Sequence, residues 1–390
     1  MNNYYLSPFF SVKNVFNKCY LEHKFTKKII VIPNELSKLF SEPYNKLFGL
    51  EREIIYTIPN ELLEVLIEEN IILKRGTTYK DISSFFVRPQ VTYLGLPFMN
   101  IDKVFDKIAL FGVPYKLGND SESNLNKNNT IARKYGNKYN LNIHSYNYSA
   151  EIKKKTLQND YRNVCDIGDV FINPREFSDL SFKKISNFSK KIVNQDNKFI
   201  AIGGDHSITY PLFNGVKRKF NDLVCIHIDA HNDLFLSSEC FFYDLVPSHS
   251  SVIAKLLLEE NEVHSLGLRD YVNIDSLHLT KIPNYFFHFS NSNEAFLNQV
   301  SEIITKINKK KVYITLDMDV LDPKFYSSVT DPLPNGISPN VLMKGLQTIF
   351  SELEVIGLDI VEANLKSDNV LDTHFFLDLL IQIIDFFYEK

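Results

Sequence analysis

Asp229, His231 and Asp233 stand at alternate positions in the run Asp229-Ala230-His231-Asn232-Asp233, and Asp317 and Asp319 repeat that spacing in Asp317-Met318-Asp319. In extended backbone, alternate side chains point to one side. The two runs, brought side by side, would gather four carboxylates and an imidazole, and His206 in Gly203-Gly204-Asp205-His206-Ser207 adds a second imidazole. So many acidic groups in a partly buried place cannot all stay ionised without cations, because each would otherwise take up a proton. One cation is too little for four carboxylates, so a two-metal site is expected. Two His and four Asp without Cys argue against structural zinc or an iron–sulfur centre, and mixed oxygen and imidazole donors suit Mn²⁺ best. Two close metals can make hydroxide available near neutral pH.

A single Asp-x-Asp is ordinary in a solvated loop or a cap. Here each run follows directly on a short apolar stretch: Phe199–Ile202, Leu223–Ile228 and Val312–Leu316. A fourth stretch, Val355–Leu358, leads into Asp359-Ile360-Val361-Glu362, and Ile108–Val113 and Glu262–Leu266 look alike. Helical patterns lie between them at Leu180–Asn194, Ser251–Glu260 and Ala295–Lys309. Continuous apolar strands alternating with helices predict an α/β protein whose mainly parallel sheet is covered on both faces. Ligands in such sheets sit beyond the carboxyl ends of the strands, which is where the polar runs fall.

Beyond these motifs, the 390 residues predict two parts. Residues 89–390 carry the alternating pattern, and residues 1–88 predict a small α+β module. Within the latter, Ile32-Pro33-Asn34-Glu35-Leu36 recurs as Ile58-Pro59-Asn60-Glu61-Leu62. Each copy follows an apolar strand-like run, Ile29–Ile32 and Ile54–Ile58. Asn34 and Asn60 are suited to cap helices, and Leu62, Leu63, Leu66 and Ile67 share a helical face. The module reads as an extension that packs or assembles, with recruitment of a substrate as the alternative. A hydrophobic fraction of 44% suits a chain with a real core, and a net charge of −4 with scattered lysines gives no basis for nucleic-acid binding. The N-terminus lacks the basic-then-apolar pattern of a secretory signal, and no run of about 18 apolar residues predicts a membrane span. Cys19, Cys165, Cys225 and Cys240 lack metal-finger or CxxC spacing, so reduced thiols and a cytoplasmic location are expected.

The runs Gly203–Thr209, Asp229–Asp233 and Asp317–Pro323 together resemble the three signatures of the arginase/agmatinase (ureohydrolase) family. Phe111-Gly112-Val113-Pro114, Asp166-Ile167-Gly168-Asp169, Leu266-Gly267-Leu268-Arg269 and Gly357–Glu362 are similar to its supporting motifs. The likeness runs from about Thr92 to the C-terminus and is closer to agmatinases than to arginases. It implies a three-layer α/β/α fold with two Mn²⁺ per chain. His206, Asp229, Asp233 and Asp317 would hold one ion and His231, Asp229, Asp317 and Asp319 the other. The hydroxide they share would attack the guanidinium carbon, Asp319 would help move its proton, and Glu362 would pair with the guanidinium through a bidentate bond. His249 falls where the family places a proton-relaying or substrate-contacting histidine, although Ser250 replaces the usual neighbouring Gly. Asp270 remains as a substrate-binding candidate. His227, Asp205 and Asp322 are read as supporting residues rather than ligands.

The chain departs from arginases at Phe235, Pro247 and Val272, positions at which contacts to the ends of free arginine are expected. Unpaired charged ends are costly to desolvate, so free L-arginine is disfavoured. The loop Tyr326–Pro332 also replaces a Gly- and Thr-rich segment, and Phe235, Tyr243, Val272 and Tyr326 are expected to shape the pocket. The resemblance therefore implies an agmatinase-like enzyme that turns a small guanidino compound and water into an amine and urea. A formimino or peptide-arginine hydrolase, and a metal-stabilised scaffold without activity, are the alternatives. A homo-oligomer is expected, with neither nucleic acid nor membrane as partner.

Overall fold

A computed structural model describes residues 4–6, 10–15, 18–23, 29–32, 59, 63, 66, 72–74, 86–116, 118, 123–139, 141, 161–172, 178–235, 247–270, 282–290, 292–308 and 310–388. By internal packing the chain divides into two units, Met1–Phe85 and Phe86–Lys390.

In the first unit, β1 (Tyr4–Leu6), β2 (Phe10–Val15), β3 (Lys18–His23), β4 (Ile29–Ile32) and β5 (Ile72–Lys74) form two antiparallel sheets. β1 pairs with β5, and β2-β3-β4 is a meander. The expected strand at Ile29–Ile32 is β4. Leu63 and Leu66 are helical, and Leu66 is buried. The capping asparagines Asn34 and Asn60, and the run Ile54–Ile58, lie outside the described residues.

The second unit is built on one nine-stranded sheet. Its strands are β6 (Phe86–Val87), β7 (Ile108–Val113), β8 (Val164–Val170), β9 (Lys198–Gly203), β10 (Val224–Ile228), β11 (Val263–Leu268), β12 (Tyr285–Phe289), β13 (Lys311–Asp317) and β14 (Glu354–Val361). Their order is β12-β11-β10-β13-β14-β9-β7-β8-β6. Every pairing is parallel except that of β6 with β8.

Successive residues of a strand face opposite sides, and the two resulting cores are distinct. Ile226, Ile314 and Leu110 lie in one, packed by α1 (Asn128–Gly136), α5 (Asn293–Ile307), α6 (Pro339–Glu352) and α7 (Val370–Tyr388). Cys225, Tyr313 and Phe111 lie in the other, packed by α2 (Ser178–Asn194), α3 (Thr209–Lys217) and α4 (Val252–Leu258). This is the three-layer arrangement expected. Among the described residues no helix is long and apolar enough to cross a membrane.

The strand order has one consequence for chemistry. β10, β13, β14 and β9 are consecutive neighbours at the centre of the sheet, although β9 and β14 are separated by about 150 residues of chain. The four polar runs leave those four strands at the same edge.

Candidate metal centre

The run after β9 turns at Gly203-Gly204 into a 3-10 turn, His206–Ile208, capped by the Asp205 side chain, which accepts from the Ser207 amide at 3.0 Å. Asp205 also accepts from the Gly118 amide at 2.8 Å and from the Ser207 hydroxyl, which makes it a loop-holding residue as expected. Gly204 has no room for a side chain: an added Cβ would lie 2.0 Å from the Tyr115 carbonyl oxygen. The turn aims His206 Nδ1 at three carboxylates. It lies 3.1 Å from Asp229 Oδ2, 3.0 Å from Asp233 Oδ2 and 3.3 Å from Asp317 Oδ2. His206 Nε2 is tied behind to Thr315 Oγ1 at 2.9 Å. The Thr315 hydroxyl donates to Asp359 Oδ1 at 2.6 Å, and the Tyr313 hydroxyl donates to Asp359 Oδ2 at 2.5 Å.

Next to this lies a second group. His231 Nδ1 is 2.8 Å from Asp319 Oδ2 and 3.6 Å from Asp229 Oδ1. The Ala230 amide donates to Asp319 at 3.1 Å, and the Asp319 amide donates to Asp317 at 2.9 Å, so the run after β10 braces one carboxylate of the run after β13, which braces the other itself. Among the described residues, the side chains able to hold an ion fall into two sets, His206, His227, Asp229 and Asp233, and Asp229, His231 and Asp319. Asp229 is common to both, and Asp317 reaches the first through His206. His227, read as a supporting residue, stands within the first set. Both of its ring nitrogens are engaged, Nε2 with Asp229 Oδ2 at 2.8 Å and Nδ1 with Ser265 Oγ at 2.9 Å.

Burial and charge act against each other throughout. Burial, then the charges of Asp319 and Asp229, push the Asp317 carboxyl well above the usual range. Burial and Asp229 raise Asp319 to about 6. Burial disfavours the charged form of His231, but the Asp229 and Asp319 carboxylates outweigh it and push the ring up to about 12. Asp229 is likewise opposed by burial, yet His227, His206 and His231 hold it well below the usual carboxylate range. Such a cluster retains protons that a cation would displace. Two atoms show the misfit: His206 Nδ1 and Asp233 Oδ2, buried and 3.0 Å apart, do not meet in hydrogen-bond geometry. An unmet donor set of imidazole and carboxylate is what a divalent cation satisfies, so the residues fit a metal pair.

Glu362 closes the site from β14. Its amide donates to the Gly204 carbonyl at 3.1 Å, and its carboxylate accepts from the His206 amide at 2.9 Å and the Thr330 hydroxyl at 2.8 Å. Glu362 and Asp233 both have left-handed backbone, φ +55° and +50°, a conformation that costs energy in a residue with a side chain. Burial, then the Asp205 charge, raise the Glu362 carboxyl to about 7.

His249 begins a 3-10 turn, His249–Ser251, held by a capping box between Ser248 and Ser251. Its amide and its Nδ1 both meet the Gly118 carbonyl, and its charge acts on Asp205 and Glu362. Asp270 follows β11, half-buried, with its amide on the Ala230 carbonyl at 3.1 Å. Asp322 accepts from the Lys324 and Gly336 amides, both at 3.1 Å, and holds a turn.

Of the residues expected to shape the pocket, Phe235 is 55% exposed, while Tyr243 and Val272 lie outside the described residues. Tyr326 differs from expectation. It is buried in the core with its ring 5.5 Å from Phe375, because the adjacent Ser327 and Ser328 are drawn to Asp372. Asp359 and Arg269 stand in motifs noted in the sequence but carry no role there, and Thr315 and Thr330 are not singled out at all. The guanidinium of Arg269 donates to the carbonyls of Asp319 (2.6 Å), Val320 (3.1 Å), Leu321 (3.3 Å), Leu333 (2.9 Å) and Pro334 (3.1 Å). Thr315 and Asp359 did leave a signal, as polar residues inside otherwise apolar strands.

The chain is similar in sequence and in fold to known proteins. An N(1)-aminopropylagmatine ureohydrolase of Thermus thermophilus is 35% identical over 163 residues, 42% of this chain and 54% of that protein, so the chain matches only about half of that relative's length. An agmatinase of Bacillus cereus is 28% identical over 55% of this chain and 71% of its own length. The crystal structure of formimidoylglutamase from Bacillus subtilis superposes with a TM-score of 0.62 at 20% identity, covering 82% of this chain and 97% of that one, a likeness of fold. The arginase family profile matches residues 106–382. That span holds all the strands and turns that build the metal centre, and the chain belongs to the arginase family.

Proposed function

We infer that the chain is an agmatinase-like hydrolase that cleaves a guanidino C–N bond at a pair of divalent cations, manganese by preference, releasing an amine and urea. The observation that carries this reading is the pair of buried imidazole–carboxylate groups sharing Asp229, with Glu362 beside them. His206, Asp229, Asp233 and Asp317 would hold one ion, and His231, Asp229, Asp317 and Asp319 the other. When bound, such a pair makes hydroxide available near neutral pH.

The remaining chemistry belongs to the side chains. Glu362 binds and orients the planar cation, for which a fixed carboxylate is the matching partner. Asp319, beside the attacking hydroxide, would take up its proton and return it to the leaving amine. His249, half-buried with its ring against the Gly118 carbonyl, would exchange that proton with solvent. Glu362 and Asp205 lie in a buried setting in which charge pairing is strengthened.

A substrate that lacks one or both amino-acid end groups, such as agmatine or 4-guanidinobutyrate, fits the absence of polar residues at Phe235 and Pro247. The buried free thiols Cys19, Cys165 and Cys225 suit a reducing, cytoplasmic setting. Assembly into a homo-oligomer, and residues 1–88 as an extension serving that assembly, complete the proposal.

The test is release of urea or formamide by Mn²⁺-loaded protein from agmatine, 4-guanidinobutyrate, a formimino compound and free arginine. Urea from agmatine, with free arginine at least about tenfold poorer in kcat/KM, is expected. Neither product from any of the four would overturn the reading.

A further inference from the structure

The segment between the Asp319 turn and α6 is clamped at two places. At one end Asp372, in the first turn of α7, gathers four donors on a single carboxylate oxygen. They are the Ser327 amide (3.0 Å), the Ser327 hydroxyl (2.9 Å), the Ser328 hydroxyl (2.7 Å) and the Asn369 side-chain amide (2.8 Å). The Ser328 carbonyl is tied in turn to the Asn364 amide at 2.8 Å. At the other end Arg269 holds the Leu333 and Pro334 carbonyls, with the same guanidinium that grips the Asp319 turn. Between the clamps lies Thr330, whose hydroxyl donates to Glu362 Oε2 at 2.8 Å. The other oxygen, Oε1, accepts from the His206 amide at 2.9 Å. A donor on each oxygen fixes both the position of the carboxylate and the rotation of its plane. A planar, two-pronged cation is sensitive to that rotation, because both N–H···O bonds must be formed together.

The geometry points to Thr330 as a positioning residue that aims the Glu362 carboxylate at the guanidinium of the substrate, through a loop held rigid by Asp372 and Arg269. This rests on the reading of Glu362 as the guanidinium-binding group. The hydroxyl does the work, and the methyl and the loop backbone alone do not.

Single-turnover urea release with Mn²⁺-loaded full-length protein in excess, which gives Kd for agmatine, alongside steady-state urea release, tests it. Thr330→Val, which keeps shape and removes the donor, is expected to weaken agmatine binding and raise KM by about tenfold, the usual effect of deleting a hydrogen bond to a charged group. kcat should change by less than about threefold, and bound manganese should stay at the wild-type level. Thr330→Ser, which restores the donor, should return Kd and KM to within about twofold of wild type. Unchanged binding in Thr330→Val would overturn the proposal, as would a Thr330→Ser variant as impaired as the Val. Glu362→Gln separates the two levels. If that variant binds agmatine as wild type does, or if wild type binds none, the reading of Glu362 fails. If it loses binding while Thr330→Val keeps it, only the role of Thr330 fails.

Discussion

A carboxylate or imidazole in this centre is defined by what holds its far side. His206 presents Nδ1 to three carboxylates because Thr315 engages Nε2, and Thr315 is itself held by Asp359. Partners behind a metal ligand commonly change affinity by ten- to a hundredfold when removed. Thr315→Val, close in volume, should therefore weaken manganese binding by about tenfold, read by metal titration, while the fold survives.

Proton bookkeeping gives a second expectation. In the metal-free chain His206, His231, Asp317 and Asp319 all keep protons that the unfolded chain would release at the same pH. A group raised in this way stabilises the fold below its unfolded pKa and loses that contribution as pH climbs through its folded pKa. Asp319 loses it between about 4 and 6, and His231 begins to lose it above about 6.5. Asp229, which is lowered, acts only below the usual carboxylate range. The thermal midpoint of metal-free protein should fall from pH 5 to pH 8, and the gain on adding Mn²⁺ should grow over the same interval, since cations compete with those protons. A metal-free midpoint that rises with pH would contradict the geometry.

At the level of elements, turns carry more of the burden than the strands they follow. Gly204 lies against the Tyr115 carbonyl, and its own carbonyl receives the Glu362 amide. Gly204→Ala would have to move backbone, not a flexible side chain. The expected loss is about 3 kcal/mol or more in a denaturant melt, at the upper end for overpacking. Asp372→Ala should detach the Ser327–Ser328 loop and cost about 2 kcal/mol, as for a buried acceptor serving several donors. Agmatine affinity should fall with it, whereas a change in stability alone would show that the loop does not steer Glu362.

The strands were the legible part of the sequence. β7 coincides with the apolar run that announces it, and β9, β10, β13 and β14 lie within three residues of theirs, because a strand buried on both faces is mostly apolar. The ligand runs were legible for a related reason, since dense charge directly after such strands has few other uses. Thr330 and Arg269 were not legible as parts of the site. Their roles arise from hydrogen bonds to residues 32 and 50–65 positions away, and no local pattern encodes those. Tyr326 was misjudged as a pocket residue because adjacency to a signature does not reveal that neighbouring serines are pulled towards α7.

For the molecule as a whole, the large sheet and both of its cores lie within Phe86–Lys390. The short β6 at Phe86–Val87 pairs with β8 and so belongs to that unit. A chain beginning at residue 86 should therefore keep the proposed metal-dependent urea release within about threefold of the full chain, an expectation from its self-contained core. Urea release with bound metal measured in parallel checks this. Loss of activity with metal retained would place residues 1–85 in the working enzyme.

Asp229 sits in both ion-holding groups, and this makes them thermodynamically inseparable. Whatever fills one group alters the charge that the other offers, and the influence runs equally in both directions. Filling of the pair should therefore be stepwise, with two unequal affinities, and the emptier member would be the natural point at which scarcity of metal throttles the enzyme. Removing the shared carboxylate should erase the communication along with the binding, whereas neutralising Asp233, which belongs to one group alone, should chiefly weaken one of the two steps.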